Sequence, residues 1–199
     1  GLRPWWYGAS APILMAVNVM PITGIVRWVM AQALDDLLDS LEDADDATRE
    51  EAAKALAELA NPATLDALIG ACGDEFWSVR TRAGWGVAKI GGPKAIEALI
   101  VLFNDPIMEV RNEAVAAVVS LGAGQLDRLL AAMKDERWRV REHAAKACGD
   151  LHDSRAVDAL TFACRDRDGA VKSAAAEALG KIGDPKAIPA LVKLFRDSS

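Results

Sequence analysis

The chain has 199 residues, of which 52% are hydrophobic, 26% charged and 6% aromatic. That apolar content excludes a wholly disordered chain and is enough to fill a core at this length. Three cysteines are too few for a disulfide framework, and an odd number points to a reducing, cytoplasmic compartment. The net charge of −6 opposes nucleic-acid binding, because a phosphate backbone rewards clustered Lys and Arg. The acidity is local: residues 34–61 carry ten acids against Arg49 and Lys54, and everything after residue 61 balances to zero. Charge runs of this kind usually mark a solvated helix face.

The first element in the chain is uncharged from Pro4 to Val26. As one helix it would span roughly 34 Å, enough for a hydrocarbon core of about 30 Å. Trp5, Trp6 and Tyr7 at one end, with Arg27 and Trp28 at the other, have the composition of interfacial belts. Pro12, Pro21, Gly8 and Gly24 stand against a single helix, since mid-helix proline costs about 3 kcal/mol. A second division starts an amphipathic helix near Pro21. Ile22, Ile25, Val26, Val29, Met30, Leu34, Leu37, Leu38 and Leu41 then share one face at helical spacing. Residues 1–21 become an apolar arm, with Trp5, Trp6, Tyr7, Ile13 and Leu14 as its docking residues. Three roles stay open for this arm: capping the structure that follows, docking on another subunit, or anchoring to a membrane complex.

From there the chain repeats itself. Val157–Ala187 (VDALTFACRDRDGAVKSAAAEALGKIGDPKA) lies over Leu65–Ala95 and Leu126–Ala156, and Ile96–Gln125 matches with one residue fewer. Arg49, Arg80, Arg111, Arg141 and Lys172 recur at steps of 31, 31, 30 and 31. An aspartate precedes each of them by six residues: Asp43, Asp74, Asp105, Asp135 and Asp166. A leucine recurs at 37, 68, 99, 129, 160 and 191. Each unit divides into a first helix with apolar residues at helical spacing, an Asp-containing turn, and an Ala-rich second helix closed by Gly and Pro. One such hairpin cannot bury its own apolar face, so neighbours must stack as a solenoid. The predicted fold is all-α: a right-handed solenoid of five helical hairpins at about 22–64, 65–95, 96–125, 126–156 and 157–187. A terminal helix at 188–197 and the arm at 1–21 complete it. The last helix is either a cap or the cut end of a longer array.

The pattern Asp-x5-Arg followed by Ala-Ala-x-Ala-Leu-Gly-x-Ile-Gly-Asp-Pro-x-Ala-Ile resembles the HEAT-like repeats named after phycobilisome lyases, over about residues 34–195. The resemblance implies a ladder between adjacent repeats. It would be built from Asp74, Arg80, Asp105, Arg111, Asp135, Arg141, Asp166 and Lys172, with Asp74 meeting Arg80. It also implies that the start of each second helix borders a concave groove. Members range from bilin lyase subunits to plain scaffolds, so fold does not decide function.

Positions where the repeats disagree are candidates for function. Just before the second helix the aligned residues are Trp77, Met108, Trp138 and Gly169, flanked by Phe76, Ser78, Arg137 and Arg139. Trp85 aligns with Lys54, Ala116, Lys146 and Glu177, a position that accepts charge, so an exposed indole is expected. Gly84 and Gly86 beside it would leave room for a partner's backbone. Exposed Trp near Arg is the composition of an interface hot spot. Phe76, Trp77, Trp85, Met108, Trp138, Arg137 and Arg139 are therefore the expected partner-binding residues; the competing assignment makes the aromatics plugs between repeats.

Catalytic signals are weak. Cys72 and Cys164 share a repeat position with Phe103 and Met133, and Cys148 aligns with Val87, Val118 and Leu179, which makes all three core residues. His143 aligns with Arg82 and Glu113, implying a polar face, and His152 falls in a turn. No glycine-rich phosphate loop or Ser-His-Asp set is present, and no metal or cofactor is expected. The expected function is a non-catalytic scaffold or accessory subunit that grips another protein in its groove. The resemblance offers an alternative, a bilin lyase-like subunit holding a tetrapyrrole. A third reading, nucleic-acid binding, would need Arg137, Arg139 and Arg141 to outweigh Asp135, Glu136 and Glu142.

Overall fold

The computed structural model describes residues 22–197. The arm residues Trp5, Trp6, Tyr7, Ile13 and Leu14 lie outside the described residues. Helices alternate in chain order: α1 (Ile22–Ser40) and α2 (Asp46–Leu59), α3 (Leu65–Ala71) and α4 (Trp77–Ile90), α5 (Pro93–Leu102) and α6 (Met108–Ser120). They continue as α7 (Leu126–Ala132) and α8 (Trp138–Asp150), α9 (Val157–Ala163) and α10 (Gly169–Ile182), and end with α11 (Ile188–Asp197). Five hairpins and a terminal helix thus stack as an all-α solenoid, with no strand among the described residues. Short 3-10 turns lead into α3, α7, α9 and α11. Asn61, Asp153 and Asp184 tighten three of these turns by accepting the backbone N–H two residues on.

The recurring Leu68, Leu99, Leu129 and Leu160 of the first helices are fully buried, as are Val79, Val110, Val140 and Val171 of the second. Each such leucine contributes about 1.5–3 kcal/mol of burial, and only the next hairpin can supply the facing surface. Second helices pack on one another more closely than first helices do. Small residues allow it. A Cβ added at Gly149 of α8 would stand 2.6 Å from Ala178 Cα of α10, and one at Gly86 would stand 3.0 Å from Ala57 Cβ of α2. Gly84 and Gly86 are buried, with Gly84 facing Leu99 and Leu102, so the solenoid itself, not a partner, occupies the space these glycines leave. Leu34, Leu37 and Leu38 of α1, with Leu41 just after it, pack on the core, while Val26, Val29 and Met30 stay exposed.

The Asp-x5-Arg signature builds a lock between hairpins. Arg49 donates from Nε and Nη2 to Asp74 at 2.8 and 3.2 Å, Arg80 to Asp105 at 2.6 and 2.9 Å, and Arg141 to Asp166 at 2.8 and 2.8 Å. The remaining Nη1 of each reaches back 2.8 Å to the carbonyl six residues earlier, at Asp43, Asp74 and Asp135. The aspartates also accept the backbone N–H two residues on, at Phe76, Ile107, Arg137 and Asp168. The expected meeting of Asp74 with Arg80 is therefore corrected. Arg80 takes the backbone carbonyl of Asp74, and the Asp74 carboxylate belongs to Arg49 of the preceding hairpin.

One rung is missing. Asp135 bonds Arg137 in its own turn through two contacts of 2.9 Å, and Arg111 is left with the carbonyls of Asp105 and Pro106. The Nε of Arg111 is buried without a partner. The gap falls at the one junction where the repeat step is 30 residues. Lys172 has no carboxylate partner among the described side chains. The carboxyls feel these contacts. Burial pushes Asp74 up, but the Arg49 guanidinium and the Phe76 N–H hold it below the usual range. Arg141 lowers Asp166, and Arg137 brings Asp135 down to about 2.

Candidate functional site

The locks fix the turns from which α4 and α6 start, and the turn before α8 is held from within its own hairpin, by Asp135 on Arg137 and by Arg141 Nη1 on the Asp135 and Glu136 carbonyls. Phe76, Ile107 and Arg137 occupy the N-cap positions in extended backbone and make no side-chain cap. The aspartate two residues earlier already bonds each N-cap N–H, so the N-cap side chain is free to project. The result is an apolar row along one edge of the solenoid. Trp77 is 49% exposed, Met108 57% and Trp138 38%, with Phe76 and Ile107 exposed beside them. Such exposure does not fit plugs between repeats. Arg139 stacks with its guanidinium carbon 4.8 Å from the Trp138 ring centroid, and Arg49 sits 5.8 Å from that of Phe76. Arg137, expected to face a partner, spends its guanidinium on Asp135.

An open groove of about 670 Å³ runs between the turns of the second and third hairpins. Phe76, Trp77, Val101 and Ile107 are among its walls. Its charges are paired internally: Asp74 and Glu75 with Arg49, Asp105 with Arg80, and Arg137 with Asp135. An equivalent groove of about 890 Å³ lies two repeats on, between the turns of the fourth and fifth hairpins. Val101 and this second groove escaped the sequence reading, which compared the second helices and left the ends of the first helices aside. Comparing Val101 with Phe162, its counterpart in the fifth hairpin, would have exposed both.

Three successive second helices also share one depression of about 540 Å³, with Ala116 of α6, Lys146 of α8 and Glu177 of α10 in its lining. A hollow lined by three adjacent helices means that this face is concave there. Trp85 occupies the matching position of α4. It is half-buried, not freely exposed, and its indole Nε1 donates to Glu113 Oε2 at 2.9 Å. The ion pairs on this face, Arg82–Glu50 and Lys181–Asp150, are solvent-accessible and stabilise little.

The remaining candidates are structural. Cys72, Cys148 and Cys164 are buried, and burial pushes the thiols of Cys72 and Cys148 up to about 12, far from a reactive thiolate. His143 is buried, not on a polar face. Its Nδ1 contacts the Arg139 carbonyl at 2.8 Å, Phe103 lies against it, and burial lowers its pKa. Among the described residues, no three His, Cys, Asp or Glu side chains stand together as metal ligands, and no single helix is long and apolar enough to cross a membrane.

A family model of HEAT repeats matches residues 22–122 and 126–199. No curated protein matches the chain in sequence. Among solved structures, the fold is similar to one from work on microtubule plus-end tracking by XMAP215, CLIP-170 and EB1. That match has a TM-score of 0.61 and 16% identity, and covers 81% of this chain and 89% of that one. It is also similar to the TOG domain array protein crescerin, with a TM-score of 0.60, 18% identity and 83% of each chain covered. A third match is the complex of CpcE and CpcF of phycocyanin lyase from Nostoc sp. PCC7120, with a TM-score of 0.49 and 24% identity, covering 80% of this chain and 69% of that one. Identities this low speak to fold alone. The family match, the stacked hairpins and the Asp–Arg lock agree: the chain belongs to the HEAT-repeat family.

Proposed function

We propose that this solenoid is a protein-binding scaffold, and that its partner docks along the edge where α4, α6 and α8 begin. One observation carries the reading. Trp77, Met108 and Trp138 stand exposed at the same position of three consecutive hairpins, each over a turn whose aspartate and arginine supply its bonds. A stable turn does not require these side chains, because the Asp and Arg beneath them supply its bonds. Aromatic side chains held in place by a stiff base lose little entropy on contact, which is the physical profile of interface anchors. The Arg139–Trp138 stack adds a cation whose guanidinium face lies over the ring while its N–H edge can pair with a partner's acid. The fold places no restriction on which protein binds.

Site-specific photocrosslinking tests the location. A photoreactive residue at 77, 108 or 138 should capture the same protein from an extract of cells that make this chain. The same residue at exposed Lys94, in the first turn of α5, should not. Capture from position 94 alone, or equal capture from all four positions, removes the edge from consideration.

A further inference from the structure

The second groove differs from the first in its charge. Its apolar wall includes Leu130, Met133 and Phe162, the last 79% exposed, more than any other large hydrophobic side chain described. The earlier hairpins serve as controls. Phe162 takes the place of Gly70, Val101 and Ala131, and Arg167 that of Glu75, Pro106 and Glu136. At the position of Arg165 the earlier hairpins have Gly73, Asn104 and Lys134, so cations occupy it only in the two hairpins that flank this groove. Meanwhile the aspartates on which the turns depend do not vary.

Lys134, Arg165 and Arg167 have no carboxylate partner among the described residues. Arg167 donates from Nη2 to the Glu136 backbone carbonyl at 3.1 Å, and Asp166 feels its charge without forming an ion pair with it. Asp135 and Asp166 are taken by Arg137 and Arg141, so Glu136 is the one lining carboxylate without an ion pair among the described residues. An apolar wall under three free cations fits a ligand that carries a carboxylate beside an aromatic or aliphatic side chain. Residues 1–21 contain no acid and cannot supply it. A polyphosphate chain carries no apolar group to cover Phe162, Met133 and Leu130, so it leaves the wall of this groove exposed.

We infer that the groove between the fourth and fifth hairpins binds an acidic, apolar peptide segment of a partner protein. The segment's apolar side chain rests on Phe162 and Met133, and its carboxylates pair with Lys134, Arg165 and Arg167. This site does not depend on the tryptophan edge. Fluorescence anisotropy of the full chain with a labelled octapeptide alternating Glu or Asp with Phe or Leu tests it, against the same peptide with the acids replaced by Gln and Asn. The acidic peptide should bind at least tenfold tighter at low salt. Arg165→Glu with Arg167→Glu should transfer the preference to a Lys-containing version, and Phe162→Ala should weaken all versions. Trp77→Ala should change nothing, which keeps this result separate from the fate of the edge reading. Equal binding of acidic and amide peptides, no binding of either, or an unchanged preference in the charge-reversed variant overturns the proposal. Displacement of the peptide by duplex DNA at equal concentration overturns it in favour of a nucleic-acid site.

Discussion

Replacing Asp105 by Ala probes the interlocking of the hairpins. Arg80 and Asp105 are both buried and joined by two bonds of 2.6 and 2.9 Å. Without Asp105, Arg80 keeps the carbonyls of Asp74 and Glu75 but loses its counter-charge. Removing one half of a buried pair costs about 3–5 kcal/mol, and the lost bond to the Ile107 N–H adds about 1 kcal/mol. Removing both halves, Arg80→Met with Asp105→Ala, abolishes the stranded charge and should restore most of the loss. Urea unfolding measures both. With a slope of about 2 kcal/mol per molar urea, the Asp105→Ala midpoint should fall by about 2–3 M and that of the double variant by less than half as much. Repeat arrays can lose units separately, so circular dichroism and tryptophan fluorescence must give one coincident transition for the conversion to hold. A midpoint shift under about 0.5 M for Asp105→Ala would mean that the Arg80–Asp105 pair does not hold the hairpins together.

Arg111→Met should cost at least about 2 kcal/mol less than Arg80→Met in the same assay, since Arg111 has no carboxylate and a buried Nε without a partner. Gly149→Ala should destabilise by about 1–3 kcal/mol, because the new Cβ meets Ala178 backbone at 2.6 Å, whereas Gly124→Ala enters open space and should be near neutral. Trp85→Phe should lose about 1 kcal/mol through the missing bond to Glu113, read from the unfolding midpoint. Acid titration should show a further signature. Asp74, Asp166 and Asp135 are depressed in the folded state, the last to about 2, against an unfolded value near 3.9. Their stabilisation is therefore complete above pH about 4 and is lost as pH falls through the folded values. Asp166→Asn should flatten that loss, and an unchanged acid limb would count against the assignment.

The solenoid was legible because its determinants are local and repeated. Leu68 and its counterparts recur at fixed steps, and each hairpin needs its neighbour to bury them. Comparing repeats singled out Trp77, Met108 and Trp138 as a variable position, but the indole it marked as exposed was Trp85, which is half-buried and bonded to Glu113. What failed to follow is tertiary. The resemblance implied that Asp74 meets Arg80, six residues away, but the guanidinium spans to the next hairpin and reaches Asp105. Alignment with Arg82 and Glu113 put His143 on a polar face, yet its ring is buried against Phe103 and its Nδ1 satisfied by the Arg139 carbonyl. Gly84 and Gly86 announced a close approach correctly, but only the packing of α4 against α2, α3 and α5 shows that the approaching surface is the chain's own.

The proposed docking surface is the edge where α4, α6 and α8 begin, on turns held by their own Asp and Arg side chains. Its most direct test is the dissociation constant of the protein crosslinked at position 77, measured for the wild type and for Trp77→Ala, Trp138→Ala and Lys94→Ala. At least one tryptophan variant should lose about 2 kcal/mol or more, roughly 30-fold in affinity, with helical content retained and Lys94→Ala unchanged. Affinities that stay within a factor of two of wild type for both folded tryptophan variants would contradict the account.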